Sequence, residues 1–345
     1  MSACKAFYGR FMSTSHLHLL MTAQEYIQAA LDGLRQPVDL PKPNTEDELV
    51  EAIFRALTSK KFRKYSLTEE YANHIKNSIK ENVQAGKPIN LTFLGGCYKL
   101  WRLKEAPESD WAELFSHLYY SRWVKPVCAI YEPGVWFDFF LDDVIVSRIN
   151  NLPESDIEAY RTSRQNILDF LKPYQPNNLS MTLTGVGSLF DSRDIYEKEL
   201  EKSIDTLSAE LPGGLPVLSD AQLATVELNT KATPEQLADP KWREKVELVH
   251  SSYMAIKGAT GYSTASNKIR VFTQPFPNGT CIAVGASKDS IAKFWAGVGA
   301  LQPRDGSFRQ IILSPKQLEV ASFDWQTVEL SGLPGKNFSR VRVLQ

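Results

Sequence analysis

The chain has 345 residues, 43% hydrophobic and 23% charged, enough for a sizeable core in one large domain or one domain with an added layer. Its 39 basic and 40 acidic residues leave a net charge of -1, which speaks against a nucleic-acid partner, and no apolar run reaches the ~18 residues of a membrane span. Cys4, Cys97, Cys128 and Cys281 form no C-x-x-C pair and the five histidines no metal spacing. Neither a zinc site nor a disulfide framework is signalled, and reduced thiols in a cytoplasmic protein are expected.

Residues 1–21 hold Lys5, Arg10, several serines and no acid, and read as a disordered extension with Met12 and Met21 as alternative starts. Residues 22–86 read as an N-terminal helical layer. Tyr26, Ile27, Ala30, Leu31 and Leu34 recur near a 3.6 period. Thr45 with Glu48, and Ser66 with Glu69, form capping-box patterns before two further helices, and Gly86 closes the second.

Residues 87–345 read as an α/β domain of catalytic type. Ile89–Phe93 alternates as a strand and stops at Gly95-Gly96, residues 109–123 read as a helix, and the apolar run Val127–Tyr131 reads as a buried strand. Pro133-Gly134 marks a turn, after which Val135–Leu141 and Val144–Ile149 are two strands or one bulged hairpin. Helices are expected over 153–172, 192–211, 219–228 and 240–257. Strands are expected at 181–184, 269–272, 280–284, 308–313 and 341–344. The alternation predicts a Rossmann-like mixed sheet flanked by helices.

Five clusters carry chemistry. Tyr98-Lys99-Leu-Trp101-Arg102-Leu-Lys104 follows a strand and a Gly-Gly turn, where α/β sheets place ligands. Its cations suit a phosphate or carboxylate, or else form a solvated loop. Asp110 and Glu113 open a helix, where the dipole favours acids. Asp138, Asp142 and Asp143 lie among Trp136, Phe137, Phe139 and Phe140, and suit a substrate ammonium or a polar strand end. Arg270 within a strand, with Phe272 and Gln274 on its face, implies a ligand anion or an internal carboxylate, because an unpaired buried charge is costly. Gly297 and Gly299, beyond Trp295, permit close backbone approach.

A lysine-bearing loop, a D-x-x-E helix start, Y-x-P-G, an acidic turn and a D-x-x-x-Y helix, in that order, resemble the isocyanide (isonitrile) synthase family. The matching positions are Lys99 and Lys104, Asp110 and Glu113, Tyr131 with Pro133 and Gly134, Asp142 and Asp143, and Asp156 and Tyr160; Ile269-Arg270 and Trp295 follow. The resemblance implies a Rossmann-like transferase of secondary metabolism. Such enzymes convert the amine of tyrosine or tryptophan to an isonitrile with carbon from ribulose 5-phosphate, without a metal or other cofactor. It implies catalytic roles for Glu113, Tyr131, Asp142 and Asp143, and substrate binding by Lys99, Arg102, Lys104, Asp110, Arg270, Gln274 and Trp295. The implied partners are an amino acid and a sugar phosphate, with no nucleic acid and no membrane. Gln274, Ala296 and Phe272 stand where the family carries two histidines and a serine. A different reaction on the same fold, or a non-catalytic binding protein, are the alternatives.

Overall fold

The structure, a computed structural model, describes residues 21–100, 107–143, 147–148, 152–210, 233–274, 276, 280–314, 317–318 and 324–344. Three capped helices come first: α1 (Ala23–Arg35), α2 (Glu46–Leu57) and α3 (Glu69–Gln84), with N-caps Thr22, Thr45 and Thr68. The third cap is Thr68 and not the expected Ser66, a shift of two residues within a run where both hydroxyls suit the role.

A five-stranded sheet forms the centre, in the order β3 (Leu179–Gly185), β2 (Val135–Asp142), β1 (Ile89–Gly96), β4 (Lys268–Phe272), β5 (Ile282–Ala283). All four pairings are parallel, so mixed pairing is confined to a second sheet. That sheet has the order β7 (Ser307–Leu313), β6 (Val298–Arg304), β9 (Arg340–Leu344), β8 (Trp325–Glu329). The sequence reading missed β6 and β8. Gly299 and Pro303 mask the first, and the second is half-exposed and polar in alternation. The helices α5 (Glu154–Leu171), α6 (Arg193–Glu210) and α7 (Pro240–Ala259) fall where expected. The candidate helix 219–228 lies outside the described residues, as do most of Val144–Ile149; Ser147 and Arg148 are helical.

Helix α4 (Trp111–Ile130) joins the two sheets. Ala112, Tyr120, Trp123 and Val127 enter the core of the parallel sheet. Trp111, Leu114, Phe115 and Leu118 enter a second core with α1 and the second sheet. A helix buried on all sides has no polar stripe. The run Val127–Ile130 is therefore the end of this helix and not the strand it resembles, although Pro126 lies within it. Tyr131 is its C-cap. Gly299 lets β6 reach α4: a Cβ there would overlap the Trp111–Ala112 backbone.

Candidate active site at the carboxyl ends of the strands

In a doubly wound parallel sheet, the connections leave in opposite directions on either side of one strand, and ligands bind in the crevice beyond the carboxyl ends there. Here β1 is followed by β2 on one side and flanked by β4 on the other, so the crevice opens above Gly96 and Phe272.

Trp295 forms its wall. The side chain is buried and meets Phe294 edge-on at 5.0 Å and Phe93 at 6.1 Å. The indole lies directly on the strand end, because a Cβ on Gly96 would sit 2.6 Å from its Nε1. The second glycine of the Gly-Gly turn is thus a seat for an aromatic ring.

Asp142 ends β2 beside this wall. Its Oδ1 accepts from Tyr253 OH at 2.7 Å and from Lys257 Nζ, both on α7. Burial, with Asp142 adding to it, keeps the Tyr253 phenol protonated. Burial pulls Lys293 down, and Asp142 opposes it; His250 is likewise held down by burial against the same carboxylate. Lys257 bonds that carboxylate, and Lys293 Nζ lies 5.9 Å from the ring centres of both Phe272 and Trp295 at the crevice. Asp143 turns away to the β3 side. Its Oδ1 accepts from Gly187 N at 3.2 Å, and it lines a 570 Å³ cleft with Arg161 and Arg193. A side chain at Gly185 would collide with that carboxylate.

Beneath the crevice lies a fully buried polar network. Lys99 Nζ donates to Glu113 Oε1 at 2.8 Å and Oε2 at 2.9 Å and to the Phe294 carbonyl at 2.7 Å; Asp110 Oδ1 is 3.1 Å away. Tyr160 OH donates to Glu113 Oε1 at 3.0 Å. Glu113 also receives the Asp110 amide at 2.8 Å, which completes a capping box. Burial pushes its carboxyl up to about 6, against the pull of Lys99. One turn along, on the same two helices, stand His117 and Arg164. Both are fully buried, and neither imidazole nitrogen nor any guanidinium nitrogen has a hydrogen-bond partner. The guanidinium carbon is 5.0 Å from the Phe139 ring centre and 5.2 Å from that of Phe294. Burial, reinforced by Arg164, holds His117 neutral.

The expected residues divide accordingly. Lys99, Asp110 and Glu113 meet in the buried network, so Lys99 is no solvated loop cation. Asp142 and Trp295 line the crevice; Gln274 follows β4 at the same end, its carbonyl accepting the Cys281 thiol at 3.5 Å. Arg270 sits in register with Thr92, which is itself in register with Asp138, a row below the crevice. Tyr131 is not brought to them. Its hydroxyl donates to Lys87 O at 2.7 Å, where the strands begin. Gly134 nearby has φ +72, and a Cβ would strike the Asn178 carbonyl. Arg102 and Lys104 lie outside the described residues. Asp138 neither faces a crevice nor ends a strand. It is buried and satisfied by Thr182 at 2.6 Å, Thr184 at 2.7 Å and Tyr262 at 3.0 Å.

Lys257, Tyr253 and Arg164 were not among the expected residues, and Lys293 opens the run to Gly299 for which only close backbone approach was expected. Only the i, i+4 spacing of Glu113 with His117, and of Tyr160 with Arg164, offered a signal. Among the described residues no cluster of three His, Cys, Asp or Glu side chains could hold a metal ion, and no helix is long and apolar enough to cross a membrane.

No family model and no curated protein matches the chain. Among solved structures, the PvcA protein from Pseudomonas aeruginosa aligns with a TM-score of 0.62 at 17% identity, over 86% of this chain and 100% of that one. The shared fold is therefore the whole of that protein. Tyrosyl-tRNA synthetase from Aeropyrum pernix aligns at 0.34 with 13% identity, over 67% of this chain and 54% of that one, too distant to bear on function.

Proposed function

We propose that the chain is a small-molecule biosynthetic enzyme of isonitrile-synthase type, which condenses an amino-acid amine with a sugar-phosphate ketone. The observation that carries this reading is the crevice above Gly96, where Asp142, Lys257, Tyr253 and Lys293 converge beside Trp295. The fold shared with the PvcA protein supports it.

In this scheme Asp142 receives the substrate ammonium. Both of its internal bonds fall on Oδ1, so Oδ2 is the oxygen that takes the proton. The freed amine attacks the ketone carbon. A C–N bond forms, the C–O bond breaks, and one water leaves to give the imine. Lys293 and Arg270 supply positive charge for phosphate and carboxylate. Trp295 packs against the amino-acid side chain. Glu113, with a carboxyl raised toward neutrality, serves as a proton store linked to Tyr160 and Lys99. Tyr131 has no part in it.

Gln274, Ala296 and Phe272 favour a second reading, in which the same imine forms but the later steps differ from the family reaction. One experiment separates the two. The protein is incubated with tyrosine or tryptophan and ribulose 5-phosphate, one portion is reduced with borohydride, and products are read by mass and infrared spectroscopy. An isonitrile stretch supports the first reading; a trapped secondary amine without it supports the second. Neither product, with no thermal shift by either ligand, would sink both.

A further inference from the structure

A second recess lies away from the crevice. It is a cleft of 620 Å³ between α1, the turn after α2, α4, the loop after β5 and the β6–β7 hairpin. The chain as a whole carries -1, yet this cleft is lined by six basic side chains and only two acids, Asp289 and Asp305. Arg304 lies 3.3 Å from Asp305 and Arg309 4.0 Å from Asp289. The other four, Lys61, Arg122, Lys125 and Lys288, have no acidic partner among the described residues. Lys125 Nζ donates to the Gly33 carbonyl at 2.8 Å and Arg122 to the Ala30 carbonyl at 3.0 Å, so neutral acceptors hold both at the rim.

Three residues of the same lining hold a buried polar atom with no hydrogen-bond partner among the described residues: Tyr119 OH, Ser287 Oγ and Gln310 Nε2. Their residues are 6%, 2% and 9% exposed. Buried polar groups normally find partners, and three orphans in one recess point to a missing one. Rings supply the rest of the wall. Phe62 and Tyr119 lie 5.2 Å apart, and Tyr26 meets Phe308 edge-on at 5.7 Å.

We propose that this cleft is a second binding site, for a phosphorylated metabolite that carries a flat ring, a nucleotide in chemical class. The size falls in the ordinary range of small-molecule sites, about 300–1,000 Å³. Guanidinium and ammonium groups suit phosphate oxygens. The aromatic walls suit a base, whose face stacks on any such ring. The orphaned hydroxyls and amide complete the polar contacts in between. The concavity separates this site from the flat basic stripe on which a long polyanion would lie.

Calorimetric titration of the full-length protein with ADP, pyrophosphate and adenosine tests the assignment. ADP should bind saturably at one site and at least tenfold more tightly than either fragment. Lys288→Glu, a surface change, should weaken ADP at least tenfold. Tyr119→Phe, which keeps the ring, should weaken it about threefold to tenfold. Thermal melts check that both variants fold, and Lys288→Glu should leave amino-acid binding at the Asp142 crevice unchanged. Three results would each overturn the proposal: no saturable ADP binding at millimolar concentration, pyrophosphate binding as tightly as ADP, or adenosine binding as tightly as ADP.

Discussion

Replacing Glu113 with Gln preserves the shape of the side chain and removes its charge. Lys99 would keep Asp110 at 3.1 Å and the Phe294 carbonyl at 2.7 Å, and would lose the two-oxygen contact at 2.8 and 2.9 Å. Gln also puts an amide N–H donor where a carboxyl oxygen accepts from Lys99 and a second donor. A buried pair broken from one side, with donors facing each other, costs about 3–5 kcal/mol beyond the effect of neutralising the carboxyl. Unfolding entropy of about 2.1 cal/mol/K per residue makes 1 kcal/mol worth roughly 1–2 °C in a chain of this length, so Tm should fall by about 4–7 °C at pH 7.5. Adding Lys99→Met removes the stranded ammonium and should recover at least half of the loss.

The pH dependence has a definite sign. A carboxyl raised from 4.5 to about 6 binds its proton more tightly folded than unfolded. Its contribution is present below pH 4.5 and is lost as pH rises through about 6. That displacement is worth about 2 kcal/mol. The Gln variant lacks this contribution, so wild type should exceed it by about 2 kcal/mol more at pH 4.5 than at pH 7.5. Calorimetric melts at the two pH values read this directly. A gap that narrows in acid would refute the claim that burial outweighs Lys99. A loss below 1 kcal/mol would refute the claim that Lys99 depends on the Glu113 carboxylate.

Gly299→Ala places a methyl in the Trp111–Ala112 backbone, and overpacking of this kind costs about 1–3 kcal/mol; an unchanged denaturant midpoint would count against the close packing of β6 on α4. Arg164→Met removes a buried guanidinium without partners and should hold or raise Tm, while amino-acid binding, followed by titration, weakens at least tenfold. A lower Tm with intact binding would show that Arg164 is a structural prop. His117 should stay neutral from pH 8 to pH 5 in nitrogen NMR, because burial and Arg164 both oppose its proton; a midpoint near 6.5 would contradict the buried placement.

The strands and most helices were legible because their periods are local. Ile89–Phe93, the 192–211 helix and the Thr45 cap show this. Elements buried on every side were not. Val127–Ile130 carries the same residues whether it ends a central helix or forms a parallel strand, and only tertiary contacts decide. The site divides along the same line. Lys99 and Asp142 stood out as charges near strand ends, and Glu113 as an acid opening a helix. Lys257 and Tyr253 lie more than a hundred residues from the aspartate they bind, on a helix with an ordinary polar face. Arg164 looked like one more helix arginine until the sheet closed over it.

The buried network carries an argument of its own. Lys99 and Arg164 bring two positive charges, and Asp110 and Glu113 two negative ones, so the interior balances in sum. It does not balance in place. Lys99 takes both carboxylates, and Arg164 faces the rings of Phe139, Phe294 and Tyr160 without a counterion among the described residues. Apolar residues of similar volume would make a more stable interior. Four polar side chains spaced one turn apart on two facing helices, Glu113 with His117 and Tyr160 with Arg164, work against stability just below the strand ends where Asp142 and Trp295 converge. Conflict of that kind between local stability and composition marks a site held for function. Among the described residues Arg164 is left without a counterion, whereas Asp142 at the strand ends is already paired with Lys257.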